Sequence, residues 1–265
     1  MLLIFLHIHK TGGTSFSHAL RWGTAFGKRH WVPPTDAQGK SFTSMPRAKR
    51  KQVRLLQGHF LYGIHEAYPG PTAYVTMMRD PVARIVSSYY YTIKTFPETS
   101  IQNISIEAFA RGESVHREQN AQARRIAGVR KEEMDGVGAD ELYERAVANI
   151  ENDFACVGLV ERFDESVMLM RHLLDWTTYP LYLREKSGVK RPRGVDIPQA
   201  TRTAIEDVNT VDCRLYNYAQ NRLDSQIDTA PIDLDTQLHR FKMLNSFYER
   251  IAPPLAWLYR VLRAA

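Results

Sequence analysis

Cysteine is scarce in this sequence: Cys156 and Cys213 are the only two in 265 residues, too few for a disulfide framework. Cys156 sits in the apolar run from Phe154 to Val160, a setting that suits a buried free thiol and a reducing compartment. Long hydrophobic runs are missing too. No stretch approaches the ~18 apolar residues needed to span a bilayer. The apolar opening MLLIFLHIH lacks a basic leader and runs straight into KTGGTS rather than a cleavage site, so a cytoplasmic chain with no membrane span is expected. Nor does one charge dominate. Lys plus Arg number 35 and Asp plus Glu 29, for a net charge of +6, which favours anionic partners without choosing between nucleic acid, nucleotide and acidic sugar. Repeats and low-complexity segments are absent. What is present is 44% apolar residues, enough for a large core without covalent staples.

Leu2 to Ile8 is short, almost wholly apolar and followed by a glycine turn, the pattern of a strand buried on both faces of a parallel sheet. Thr14 to Phe26 reads as the first helix. Residues 28 to 52 are basic and turn-rich and read as an exposed loop with a short basic helix. Leu55 to Phe60 and Ala73 to Met78 are further strands, and Pro81 opens a helix to about Phe96. Helical patterns cover 105 to 127 and 139 to 152. A fourth strand, Ala155 to Val160, precedes a helix from Glu165 to Leu174. Alternating strands and helices predict an α/β fold with a central, mostly parallel sheet. Beyond a basic loop at Lys186 to Pro198 the chain reads as helical to its end, with Pro253-Pro254 kinking or dividing the last helix. The expected organisation is one domain over 1–265: an α/β core to about 175, then the loop and a helical C-terminal portion over 176–265.

Two segments carry chemistry. After the first strand comes His9-Lys10-Thr11-Gly12-Gly13-Thr14-Ser15, then a helix. Two glycines let backbone wrap an anion, the helix N-terminus supplies positive potential, and Lys10, Thr14 and Ser15 add donors. The nucleotide-triphosphatase loop places lysine after its glycines, whereas here it comes before them. No acidic residue ends an apolar strand where magnesium would need it. The second segment runs from Arg79-Asp80-Pro81 to Ser87-Ser88. Arg79 ends a strand and Ser87 lies two turns into the next helix, so both can approach one phosphate monoester.

Taken together, these segments resemble the sulfotransferases that use 3′-phosphoadenosine 5′-phosphosulfate (PAPS), particularly the branch of the heparan sulfate 2-O- and 6-O-sulfotransferases and their bacterial relatives. The resemblance implies a P-loop-like three-layer sandwich. It implies that Lys10, Thr11, Gly12, Gly13, Thr14 and Ser15 hold the 5′-phosphosulfate and that Arg79 and Ser87 hold the 3′-phosphate, with no metal required. Gln57-Gly58-His59-Phe60, with Gly63 and His65, is similar to the family's segment bearing the catalytic base. Asn120-Ala121-Gln122 with Arg124 and Ala127-Gly128 resembles its helix near the cofactor, and Gly158 to Phe163 its last core strand. His9 departs from the pattern, standing where proline or glutamine is usual, and Ala121 and Ala123 are smaller than the pattern leads one to expect. His59 is assigned as general base, since a hydroxyl acceptor is a weak nucleophile and imidazole titrates near neutrality. Lys10 is assigned to the leaving phosphosulfate oxygen. His65 and Glu66 are reserve candidates.

The expected activity is sulfuryl transfer to a hydroxyl, with carbohydrate as the acceptor implied by the resemblance alone. Two rivals stand beside it: a nucleotide-dependent kinase and a non-catalytic module binding a polyanion. Other features have plainer readings. His7 and His9 have a zinc-ligand spacing but no third ligand. Tyr89, Tyr90 and Tyr91 read as core and helix edge, and Arg47 to Arg54 as a solvated helix face. Lys186, Lys190, Arg191 and Arg193 read equally as a lid or as a plain connection.

Overall fold

The computed structural model describes residues 1–24, 27–36, 38–96, 104–113, 118–184 and 197–264, with side chains to 253. In chain order the elements are β1 (Leu2–Leu6), α1 (Gly13–Gly23), β2 (Arg29–Val32), α2 (Lys40–Thr43), α3 (Arg47–Arg50), β3 (Leu55–Gly58), β4 (Thr72–Met78) and α4 (Pro81–Thr95). Then follow α5 (Ile106–Ala110), α6 (Ala121–Ile126), α7 (Ala139–Asp153), β5 (Phe154–Leu159), α8 (Phe163–Leu173), α9 (Gln199–Asp207), α10 (Thr210–Thr229) and α11 (Leu234–Ala264).

The five strands form one parallel sheet in the order β2-β3-β1-β4-β5. All five residues of β1 are buried. Because successive side chains point to opposite faces, both faces of the sheet must be covered. Phe16 of α1 meets Phe5 of β1 edge-on, with ring centres 4.7 Å apart. The helical C-terminal part packs on this same core: Leu215, Ala219 and Leu223 of α10 and Phe241 of α11 belong to one apolar cluster with the strands. Farther along α11 one face still packs, with Asn245 buried against Tyr182 and Tyr248 against His18 and Trp22, while Leu244, Phe247 and Ile251 are exposed. No helix among the described residues is long and apolar enough to cross a membrane.

Three expectations change. Residues 28 to 52 hold an additional strand, β2, as well as turns and short helices. It is an edge strand paired only with β3, and its Arg-His-Trp-Val sequence lacks the apolar run of a central strand. The helix read over 105 to 127 is two helices, because Gly112 and Asn120 both adopt positive φ, 77° and 45°, and left-handed residues end or begin helices. Finally, α11 passes through Pro253-Pro254 undivided; each proline removes one backbone donor without forcing the chain out of helical φ. The basic loop from 186 lies outside the described residues up to 196.

The order of strands fixes where ligands can go. From β1 the chain crosses outward to β2 and β3 on one side, then returns to β4 and β5 on the other. The carboxyl end of β1 is therefore the switch point of the sheet, and a crevice opens there.

Candidate active site

Three of the strands, β1, β3 and β4, each deliver a different chemical group to that crevice. The loop after β1 turns through two left-handed residues, Lys10 (φ 67°) and Gly12 (φ 69°). This turns the chain into α1, whose N-cap, Gly12, has no side chain to cap the first turn. The helix thus presents a positive end toward the crevice. Glycine is also required at position 13 on steric grounds: a Cβ there would lie 1.6 Å from His7 Nε2.

Beyond β4, Arg79 is fixed by its backbone. Its N–H donates to Gln122 Oε1 and its carbonyl accepts from Gln122 Nε2, both at 2.9 Å. Its guanidinium donates to the Lys10 carbonyl at 3.2 Å and lies 4.0 Å from Glu161. Asp80 caps α4 by accepting from the Ala83 amide at 2.7 Å, so the Arg-Asp-Pro sequence is an arginine followed by a helix start. Ser87 is buried on α4.

Past β3, His59 stands in a stack of imidazoles. Its ring lies parallel to that of His9, with centres 3.7 Å apart, and 4.1 Å from that of His7. Burial, the nearby Arg125 guanidinium and, for His7 and His9, the other rings all oppose protonation. His59 is pushed down to about 4 and His9 to about 2, and His7 also lies well below its ordinary value. The tautomer of His59 follows from one contact. Nδ1 is 2.8 Å from the His7 carbonyl, which can only accept, so Nδ1 carries the proton and Nε2 keeps the lone pair. The His59 carbonyl in turn accepts from Arg125 at 2.8 Å.

A depressed histidine pKa favours the neutral ring in the folded state, so the stabilisation is complete above about pH 6.5 and is lost as pH falls toward the folded values. Each proton bound only by the unfolded chain weakens folding by about 1.4 kcal/mol per pH unit. The melting temperature is therefore expected to fall steeply between pH 6.5 and 4.5, and less steeply in His9→Gln. Calorimetry across that range checks it; a flat profile in the native chain would mean the rings are not packed neutral.

One cavity of about 560 Å³ gathers these groups: it is lined by Lys10, Gly12, Gly13, Thr14, Ser15, His59, Arg79 and Ser87, together with His7, His9, Pro34, Tyr91 and Val160. Thr11 alone of the predicted loop residues does not line it. It is fully buried and its hydroxyl donates to the Ile8 carbonyl at 2.9 Å, which braces the turn. The reserve candidates lie elsewhere: His65 Nδ1 is 3.0 Å from the Tyr74 hydroxyl, and Glu66 lines a neighbouring cavity. Among the described residues no group of three metal-ligating side chains occurs.

Sequence reasoning missed several supports. Asp212 of α10 is fully buried and accepts from the amides of Gln122 and Ala123, at 3.2 and 2.8 Å. Asn120 Oδ1 accepts reciprocally from the amides of Val211 and Asp212, at 3.1 Å each. The Asn-Ala-Gln segment therefore ties α6 to α10 and holds Arg79 through Gln122. Tyr91, read from the sequence with its neighbours as core and helix edge, lines the cavity, and Lys10 Nζ rests 3.9 Å from its ring centre. The partners are some eighty residues apart or more, and no local pattern announces them.

The model of the galactose-3-O-sulfotransferase family matches residues 2–233. Galactose-3-O-sulfotransferase 3 of Bos taurus is 27% identical over 242 residues, covering 82% of this chain and 56% of the relative. Galactose-3-O-sulfotransferase 2 of Sus scrofa is 31% identical over 138 residues, covering 48% and 34%. The chain thus spans about half the length, or less, of these curated relatives. A solved sulfotransferase from Alicyclobacillus acidocaldarius aligns with a TM-score of 0.44 and 16% identity over 82% of this chain and 95% of that one.

Proposed function

The chain belongs to the galactose-3-O-sulfotransferase family, and from that premise we propose that it transfers a sulfuryl group from PAPS to a hydroxyl of a glycan. A single observation carries this reading: one cavity is lined at once by the glycine loop, by Arg79 with Ser87, and by His59, whose Nε2 keeps its lone pair. The donor set suits a molecule with two separate anionic ends. Lys10, the backbone of Thr11 to Gly13, Thr14 and Ser15 would hold the 5′-phosphosulfate beside the positive end of α1. Arg79 and Ser87 would hold the 3′-phosphate, where the guanidinium fork matches a phosphate monoester.

The bound donor supplies an electrophilic sulfur attached through a bridging oxygen to phosphate. His59 Nε2 takes the proton of the acceptor hydroxyl as that oxygen forms its bond to sulfur. The bond between sulfur and the bridging oxygen breaks, the electron pair stays on the phosphate oxygen, and the Lys10 ammonium offsets the charge developing there. His9, flat against His59, and the His7 carbonyl hold the base in one orientation and one tautomer.

The direct test is thermal stabilisation. Adenosine 3′,5′-bisphosphate at ~100 times its Kd is expected to add ~2.7 kcal/mol, whereas ATP with magnesium adds none. The reverse result would move the assignment to a nucleotide-dependent kinase. Stabilisation by a sulfated glycan alone would move it to a polyanion-binding module.

A further inference from the structure

We infer that the acceptor carries a fixed negative charge close to the hydroxyl that is sulfated, which makes it an acidic saccharide; the inference rests on the sulfuryl-transfer reading and names the class of its acceptor. A second cavity, of about 350 Å³, shares His9, Lys10, Pro34 and Tyr91 with the donor cavity, so Lys10 and Tyr91 stand between the two. Arg124, Arg125 and Lys131 line it as well. The same three cations line a third cavity, of about 680 Å³, beside Phe60 to Ile64. They do not line the donor cavity.

The charges in this wall do not cancel. Glu118 is the carboxylate that lines the second cavity, and it is already engaged, with Oε2 2.7 Å from Arg84 Nη1. Asp212, behind it, spends its oxygens on the α6 amides and lies 3.8 Å from Arg84. Glu66 and Glu132 belong to the third cavity only. Arg124 donates to the Val129 carbonyl at 3.2 Å and Arg125 to the His59 carbonyl at 2.8 Å. These bonds orient the two guanidinium groups without neutralising them. Among the described residues no carboxylate comes within ion-pair distance of Arg124, Arg125 or Lys131. Five cations, Lys10, Arg84, Arg124, Arg125 and Lys131, line the second cavity against the one carboxylate of Glu118, and such an excess of one sign favours a ligand that brings an anion. The donor's anionic ends already have their own partners in the other cavity. Arg125 also fixes the distance scale, because it is bonded to the backbone of the proposed base. An anion held there lies near the hydroxyl that approaches His59, on the same sugar or on the next one.

A carboxylate and a sulfate ester would both satisfy this wall, so the experiment uses a neutral β-galactoside beside two derivatives of it, one bearing a uronate and one bearing a sulfate ester. Transfer from labelled PAPS is measured for native protein and for Lys131→Glu, whose side chain is exposed on the turn after α6 and takes no part in donor binding or proton transfer. Native protein is expected to favour at least one acidic acceptor by about tenfold in kcat/KM, with the preference shrinking as salt rises. The arm that wins tells carboxylate from sulfate. Lys131→Glu is expected to erase most of that preference while leaving the neutral acceptor and the Kd for adenosine 3′,5′-bisphosphate unchanged. Equal use of neutral and acidic acceptors, or an equal effect of Lys131→Glu on both, overturns the inference and leaves sulfuryl transfer standing. If none of the three is turned over, calorimetric binding of the same saccharides to bisphosphate-saturated protein decides: tighter binding of an acidic one supports the inference, and equal binding overturns it. Protein that fails to bind the bisphosphate at all removes the sulfuryl-transfer reading, and this one with it.

Discussion

Replacing His59 with alanine is expected to slow sulfuryl transfer by ~10²–10⁴ in kcat, the usual worth of general-base assistance, while adenosine 3′,5′-bisphosphate still binds. The size of the effect follows from how the ring is prepared. Burial and Arg125 hold it neutral, with its pKa pushed down to about 4, and the His7 carbonyl holds the proton on Nδ1. The basic nitrogen is thus available well below pH 6.5, where a solvated histidine would be charged. The acid limb of kcat/KM is accordingly expected below pH 6.5 in the native enzyme. Single-turnover rates with labelled donor, paired with bisphosphate titrations, separate a lost base from a collapsed site. A variant that retains native turnover would remove His59 from the reaction.

Lys10→Met carries the second large effect, an expected loss of ~10²–10³ in kcat, similar to the loss of one preorganised donor at a developing anion. Methionine keeps the length of the side chain and removes its charge. The backbone at Lys10 is held in a left-handed turn, and its carbonyl accepts from Arg79, so the loop and Arg79 are mechanically linked. The Nζ contact with Tyr91 stations the ammonium on the wall common to the donor cavity and its neighbour. The loss is expected mainly in kcat, with bisphosphate affinity falling less, because the charge matters most when the bridging oxygen leaves. An affinity loss equal to the rate loss would make Lys10 a ground-state anchor instead.

Much of the architecture could be read from local pattern. β1, β3, β4 and β5 are short, largely apolar runs, and most of them are separated by stretches of helical periodicity. The missed strand, β2, is short, polar and at an edge, where only pairing with β3 defines it. The single helix expected over 105 to 127 broke because the left-handed backbone at Gly112 and Asn120 is set by the neighbours of those residues, Asn120 being locked to Asn209 and α10.

The amino-acid order alone determined the glycine loop after the first strand, the arginine at a strand end with a serine eight residues on, and the alternation that makes a parallel sheet, because each depends on residues within a few turns of one another. The tertiary structure decided what those pieces do together. Parallel strands joined by crossovers bring their carboxyl ends side by side, so residues far apart in sequence meet at one crevice. There His9 stacks on His59, Asp212 holds the segment that anchors Arg79, and Arg125 bonds the His59 backbone with no carboxylate within ion-pair distance among the described residues. Such effects of burial and field depend on which surfaces are removed from water together, and that is settled only when the sheet assembles.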